Sequence, residues 1–378
     1  LIMLFNIAIS IPSHIFIATI NAHEQFIFLR GINLIKVLLQ PLLVWGILAW
    51  KASVLNLVLT QTVFGIIVIG LNYCYCKFKL QVSFPINYHN KPLMKELTGF
   101  SIFVFLHAIM DQVYWRLGQL VLGAVSGATA VANYAIAIQL TTFAIFLPAT
   151  MSGVFLPKLS AITAKTQNLT EINVIFCKLS RLQFAFVMLL FIGFAFLGKT
   201  FIILWVGPNY TLCYQIALLI MAGYIIDVTQ NAGIPILQAL NKHAFRAYVY
   251  ITMAVLNICL CIPLAKKYGE MGCAIATTIC LILGSGVSIN WYYYHIGLNL
   301  NLFFKNILQL IKPIVLACVL IAAGIHFAPL KHAWISFVWH GIGLTMIYVY
   351  CLWLFGFNTY EKNLFLNPLK KIHRKFLK

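Results

Sequence analysis

Acidic residues are scarce in this sequence: its 378 residues include only seven aspartates and glutamates, against 26 lysines and arginines. Charged residues make up 9% of the chain, whereas a typical soluble domain contains about 25%. So little charge excludes a water-soluble surface. The composition is instead 62% hydrophobic, with a mean hydropathy of +0.94, and many apolar windows reach the roughly 20 residues that cross a bilayer.

The sequence also lacks the spacing patterns of metal and disulfide sites. None of its ten cysteines forms a CxxC pair, and several lie inside apolar runs, so we interpret them as small reduced hydrophobic residues. The histidines within or beside these runs, His107, His326 and His340, are isolated. We therefore expect neither a metal site nor a cofactor.

Polar breaks divide the apolar runs into eleven predicted membrane spans. The spans cover residues 1–22, 28–50, 52–75, 98–122, 132–155, 182–206, 212–240, 246–265, 271–295, 308–327 and 333–356. This pattern leaves no room for a soluble domain and predicts an all-α, polytopic transmembrane helix bundle.

Basic residues fall mostly in alternate breaks between the spans. Nineteen of the 26, including Arg30, Arg181, Lys242 and Arg246, lie on one side, five lie on the other, and Lys36 and Arg116 remain inside spans. Basic residues collect on the cytoplasmic side of membrane proteins, so the distribution predicts a cytoplasmic C-terminus and does not favour nucleic-acid binding. The basic tail, residues 370–378, suits an anionic membrane surface or an orientation signal.

A weak internal repeat suggests the wider organisation. Asn21-Ala22-His23 closes one proline-containing span, and Asn241-Lys242-His243 closes another 220 positions later. Three spans precede the second copy of this unit but not the first. We therefore expect two pseudosymmetric six-helix repeats plus two C-terminal helices, with about three N-terminal helices missing from this chain.

The expected domains follow from this repeat. The first transmembrane bundle contributes its C-terminal half, the second is present in full, and a cytoplasmic loop separates them. In order, the regions are residues 1–75 (first bundle), 76–97 (loop), 98–295 (second bundle), 296–356 (two additional helices) and 357–378 (basic cytoplasmic tail).

Several stretches resemble the polysaccharide and O-antigen flippases of the multidrug/oligosaccharidyl-lipid/polysaccharide exporter superfamily. They are Gln119-Leu120-Val121-Leu122-Gly123, Ala132-Asn133-Tyr134-Ala135, Phe155-Leu156-Pro157-Lys158-Leu159-Ser160, Leu204-Trp205-Val206-Gly207-Pro208-Asn209-Tyr210 and Lys267-Tyr268-Gly269-Glu270-Met271-Gly272. Many relatives carry an acidic residue where this chain has Gly118. The resemblance implies two helical bundles around a cavity that opens alternately to either side of the bacterial inner membrane, and export of an oligosaccharide on an undecaprenyl diphosphate carrier.

Polar residues inside the spans are the candidates for function, because a charge near the bilayer centre costs at least about 2.5–3.5 kcal/mol. Arg116 and Lys36 are the predicted contacts of the carrier diphosphate. Gln112 and Gln119 share the helical face of Arg116, and Asn33 and Gln40 share that of Lys36 beside Pro41. Snorkelling of Lys36 towards the membrane surface is the alternative for that residue.

Asp111, Asp227 and Asn231 are the candidates for proton or sodium coupling. The alternative is that the acids only neutralise basic neighbours, such as Asp111 with Arg116.

Three functions remain open at this point. The two acids within spans are balanced by Lys36 and Arg116, which favours an anionic lipid-linked substrate over the cations of a multidrug antiporter. A membrane-embedded polymerase or transferase would need a catalytic surface. The predicted outward loops are short and contain no paired carboxylates and no nucleophile–base arrangement, so we do not expect an enzyme.

Overall fold

The computed structural model describes ten stretches of the chain, and every regular element in them is helical. They are residues 2–23, 25–50, 53–82, 91–92, 94–95, 98, 115–146, 169–239, 244–329 and 333–362. Within them, eight segments are apolar and long enough to cross a membrane. The chain is thus an all-helical, multi-pass membrane protein, as the sequence predicts.

The chain divides into two compact units, residues 1–96 and 97–378. The first contains α1 (Ile2–Ala22), α2 (Phe26–Trp50) and α3 (Val54–Cys74). Helices α1 and α3 are joined by a hydrogen bond from Asn6 Nδ2 to Thr62 Oγ1 at 2.7 Å. Polar side chains inside apolar helices need such partners, because lipid offers none.

Helix α2 presents most of its side chains to the outside of the first unit. Val37, Leu42 and Trp45 are 70%, 62% and 74% exposed. Exposure of so many large apolar side chains to water would be unfavourable, whereas contact with lipid or a neighbouring helix would not.

The second unit contains the remaining helices. They are α4 (115–125), α5 (Ala128–Phe146), α6 (Leu169–Trp205), α7 (Leu212–Thr229), α8 (Gly233–Ala239), α9 (Ala244–Leu281), α10 (Asn290–His295), α11 (Leu300–Phe327) and α12 (Trp334–Cys351). A wider π-helical segment, Ile282–Ile289, joins α9 to α10. Buried side chains of α4 to α11 form one core, and those of α6, α11 and α12 form a second.

The predicted spans agree with these helices except at some ends and within span 212–240, which is interrupted between α7 and α8. The predicted spans 246–265 and 271–295 belong to one continuous helical segment. The chain reverses its direction at Gly269, whose φ of +56° is a conformation that favours glycine. Helix α6 begins at Leu169, before the predicted start of span 182–206, and its 37 residues exceed the roughly 20 that cross a bilayer. The first part of span 98–122 lies outside the described residues.

Arg181, which the charge pattern had placed in a loop, is buried in α6 at 3% exposure. Its Nε donates to Glu361 Oε1 at 2.7 Å, and Nη1 donates to Asn306 O at 2.8 Å and Gln309 Oε1 at 3.1 Å. Nη2 donates to Gly356 O. The Arg181 guanidinium therefore links α6 to α11 and to the segment that follows α12.

We expect Arg181→Ala to unfold at a lower temperature than the wild type. Removing one partner of a buried ion pair leaves Glu361 uncompensated, which typically costs about 3–5 kcal/mol. Thermal unfolding in detergent measures the effect, and Lys305→Ala, on an exposed position of α11, is the matched control. Equal unfolding temperatures for Arg181→Ala and Lys305→Ala would contradict the role of this ion pair.

Candidate functional site at a broken helix

The predicted substrate contacts lie on one helix in each unit. On α2, Asn33 and Lys36 are exposed and Gln40 is half-buried. On α4, Arg116 is exposed and Gln119 is half-buried. Gln112, and with it the coupling candidate Asp111, lies outside the described residues. Both basic side chains are therefore accessible on the surface of their own unit.

The other two coupling candidates lie where a helix breaks. The predicted continuous span 212–240 is interrupted at residues 230–232, between α7 and α8. Pro235 explains the break, because it has no N–H for the carbonyl of Asn231 and its ring crowds that carbonyl. Asn231 O accepts instead from Ile234 N at 3.0 Å, one residue earlier than in an α-helix.

Asp227 lies in the last turn of α7 and is buried at 7% exposure. Its Oδ1 accepts hydrogen bonds from Ser285 Oγ at 2.7 Å and Tyr250 OH at 3.2 Å. Ser285 belongs to the π-helical segment, and Tyr250 belongs to α9. The buried carboxylate thus connects α7, α9 and the π-helical segment.

Arg246 supplies the opposite charge, with 8% exposure. Its Nη2 lies 3.5 Å from Asp227 Oδ1 and donates to Asn231 Oδ1 at 3.1 Å and Tyr250 OH at 2.7 Å. Its Nη1 donates to Tyr293 OH at 3.0 Å. The guanidinium therefore joins α9 to the last turn of α7, to the break itself and to α10.

Gln230 and Gly233 complete the site, which we call the helix-break cluster: Asp227, Gln230, Asn231, Gly233, Arg246, Tyr250, Ser285 and Tyr293. Gln230 Nε2 donates to Ser285 O at 2.6 Å, while its Oε1 is buried with no hydrogen-bond partner among the described residues. A Cβ on Gly233 would overlap the Tyr293 hydroxyl. Glycine at 233 is thus what lets Tyr293 reach Arg246.

The helix-break cluster corrects the predicted charge balance. The sequence pattern assigned Arg246 to a cytoplasmic break and treated Lys36 and Arg116 as the basic residues within spans. Arg246 is the third residue of α9, two residues before the candidate membrane span that begins at Tyr248, and it neutralises Asp227. Its spacing of four from Tyr250, which puts both side chains on one helical face, was the signal that could have revealed it.

Gly118, where the resemblance leads to the expectation of an acidic residue, lies against a buried aromatic ring. A Cβ at this position would overlap the ring of Tyr134, which is 2% exposed. The Tyr134 hydroxyl in turn lies 3.3 Å from Thr277 Oγ1. An aspartate at 118 would therefore require the tyrosine to move.

The cluster is chemically a neutral, closely packed ion pair. Asp227 Oδ1 already receives donors from two hydroxyls besides the guanidinium. A cation that binds Asp227 Oδ1 would compete with these three donors.

Double substitution tests the pairing of Arg246 with Asp227. Arg246→Met leaves a buried carboxylate without its counter-charge, and we expect a loss of about 3–5 kcal/mol of stability. Adding Asp227→Asn removes that charge and should recover part of the loss. Thermal unfolding in detergent gives the comparison, with Lys199→Met on the exposed face of α6 as control. If the losses of the two single variants simply add in the double variant, the two residues are not coupled.

A solved structure supports the fold. The lipid II flippase MurJ, in an inward closed conformation, matches with a TM-score of 0.64 and 15% sequence identity. The match covers 85% of this chain and 64% of that chain, so this chain spans less than two thirds of MurJ. At this identity the likeness concerns the fold. A search of curated proteins gave no match.

The family follows from the sequence itself. The family model described as polysaccharide biosynthesis protein matches residues 1–215, more than half of the chain. Those residues include all of the first unit and the second as far as α7. The chain therefore belongs to the polysaccharide biosynthesis protein family.

Proposed function

We propose that this protein is a flippase that moves lipid-linked oligosaccharides across the bacterial inner membrane by alternating access. The observation that carries the proposal is the combination of a polysaccharide biosynthesis family with the fold of a lipid II flippase. Its substrate is an O-antigen-type repeat unit on undecaprenyl diphosphate, of the kind used in lipopolysaccharide assembly. The protein acts as a transporter and not as an enzyme.

Arg116 and Lys36 bind the diphosphate in this proposal. Both are exposed on apolar helices, unlike Arg181 and Arg246, whose guanidinium groups are buried against acidic side chains. An exposed cation on a membrane helix needs an anion or water, and the diphosphate supplies the anion. The neighbouring amides, Gln112, Gln119, Asn33 and Gln40, offer hydrogen bonds to the sugar or phosphate oxygens.

We expect Arg116→Ala and Lys36→Ala each to slow flipping about tenfold or more. A lost hydrogen bond to a charged group is worth about 1.5–3 kcal/mol, which corresponds to a factor of roughly 10 to 150. Each variant of the complete gene is introduced into a flippase-null strain to test complementation. The amount of lipid-linked oligosaccharide that reaches the outer leaflet is then measured. Lys199→Ala and Lys305→Ala, which remove exposed lysines elsewhere, are the controls. Full complementation by both Arg116→Ala and Lys36→Ala would contradict the proposal that these residues bind the diphosphate.

Ion coupling is proposed at Asp227 and Asn231, together with Asp111. Support comes from the burial of Asp227, from its exchangeable hydroxyl neighbours and from the unpartnered Oε1 of Gln230 one residue past the end of α7. Opening of the Arg246–Asp227 pair would free a carboxylate at the helix break. A discontinuous helix is a common place for such a site in transporters.

Reconstituted vesicles test the coupling. Flipping by the wild type is expected to respond to an imposed proton or sodium gradient, and Asp227→Asn should lose that response because its amide cannot be deprotonated to a carboxylate. Ser288→Ala is the control, because it removes a half-buried hydroxyl of the π-helical segment that donates to Leu283 O and does not contact Asp227. If wild-type rates ignore both gradients, Asp227 has no coupling role.

A further inference from the structure

Cys261 and Cys273 lie closer together than two unbonded thiols normally pack. Their Sγ atoms are 2.9 Å apart, and both residues are buried, with exposures of 1% and 0%. They face each other across the reversal of α9 at Gly269, on its first and second arms. The described part of the chain contains eight further cysteines, but no other sulfur–sulfur contact is found among those residues.

The backbones of the two arms are in contact near this pair. A Cβ on Gly272 would overlap the carbonyl of Leu264, so the residue next to Cys273 touches the opposite arm directly. A disulfide needs Cα atoms about 4.4–6.8 Å apart, a separation that helices reach only where small residues let their backbones touch. Gly272 thus provides the close approach that a cross-link between the arms requires.

The charge pattern places the reversal on the outer side of the membrane, where Lys266 and Lys267 are predicted to lie. Disulfides form in that compartment, whereas cytoplasmic thiols are kept reduced. Cys261 is five residues before Lys266 and Cys273 is six residues after Lys267, which places both cysteines one or two helical turns from the predicted outer surface.

We propose that Cys261 and Cys273 form a disulfide that joins the two arms of α9. The thiolate of one cysteine attacks a disulfide of an outer-compartment thiol oxidoreductase, and the second cysteine then displaces that enzyme from the mixed disulfide. The two cysteines lose two electrons and two protons, and the oxidoreductase is reduced to its dithiol. Because the thiols are buried in the packed protein, the bond forms while the hairpin is being inserted.

Tryptic mapping of the wild-type protein tests this bond. Cells expressing the complete protein are quenched with N-ethylmaleimide before lysis, and the protein is denatured without reductant and cleaved with trypsin. Cleavage at Lys266 and Lys267 separates peptide 247–266, which holds Cys259 and Cys261, from peptide 268–305, which holds Cys273 and Cys280. We expect the two peptides to be linked, with the mass of their sum less two hydrogen atoms, and to separate on reduction.

Single variants assign the link. Cys259→Ser, on the exposed face of α9, and Cys280→Ser should keep the linked species, whereas Cys261→Ser and Cys273→Ser should abolish it. Wild-type protein in which Cys261 and Cys273 are both alkylated without reduction would overturn the proposal, whether or not the variants fold. A link that survives in Cys261→Ser would overturn it as well. Neither outcome bears on flipping, which is measured separately.

Discussion

The ion pair between Arg246 and Asp227 is the interaction on which the second unit depends most. A membrane-spanning helix can be interrupted only where other groups satisfy its freed backbone and its polar side chains, because lipid cannot. Here Pro235 interrupts the helix, and Arg246, Tyr250, Ser285 and Tyr293 converge on the residues around the gap. The apolar core of the unit surrounds this polar centre, so the packing of α7, α9 and α10 and the charge pair support one another.

The structure separates two kinds of basic residue that composition alone does not distinguish. Arg181 and Arg246 are buried, satisfied by carboxylates and oxygen acceptors, and connect helices. Lys36 and Arg116 are exposed on apolar helices. The distinction bears on the choice between an anionic lipid-linked substrate and an exported cation. Asp227 is already neutralised by Arg246, whereas Lys36 and Arg116 remain exposed.

How far the sequence predicts the structure can be seen from particular residues. Helix α2 was predicted as 28–50 and is found as Phe26–Trp50. The agreement is close because the length of an apolar run can be read from the local sequence alone. The start of α6 was missed because Lys178 and Arg181 look like loop charges. Only the fold brings Arg181 to Glu361, 180 residues away. Such pairings depend on tertiary contacts, which no local pattern encodes.

The candidate site was predictable to a similar extent. Asp227 and Asn231 were found because polar residues are rare in apolar helices, and Pro235 suggested an irregular helix beside them. Their partner Arg246 was missed because it stood at the edge of a predicted span, where basic residues usually orient the chain. Its role appears only when α9 is folded against α7.

The contact between Gly118 and Tyr134 makes the side chains at these two positions depend on each other. A Cβ at 118 would occupy the space of the Tyr134 ring, so a larger residue at 118 needs either a smaller residue at 134 or a different position of the ring. Position 118 of this chain is therefore part of a buried contact between α4 and α5. An acidic side chain could enter it only together with a change at 134.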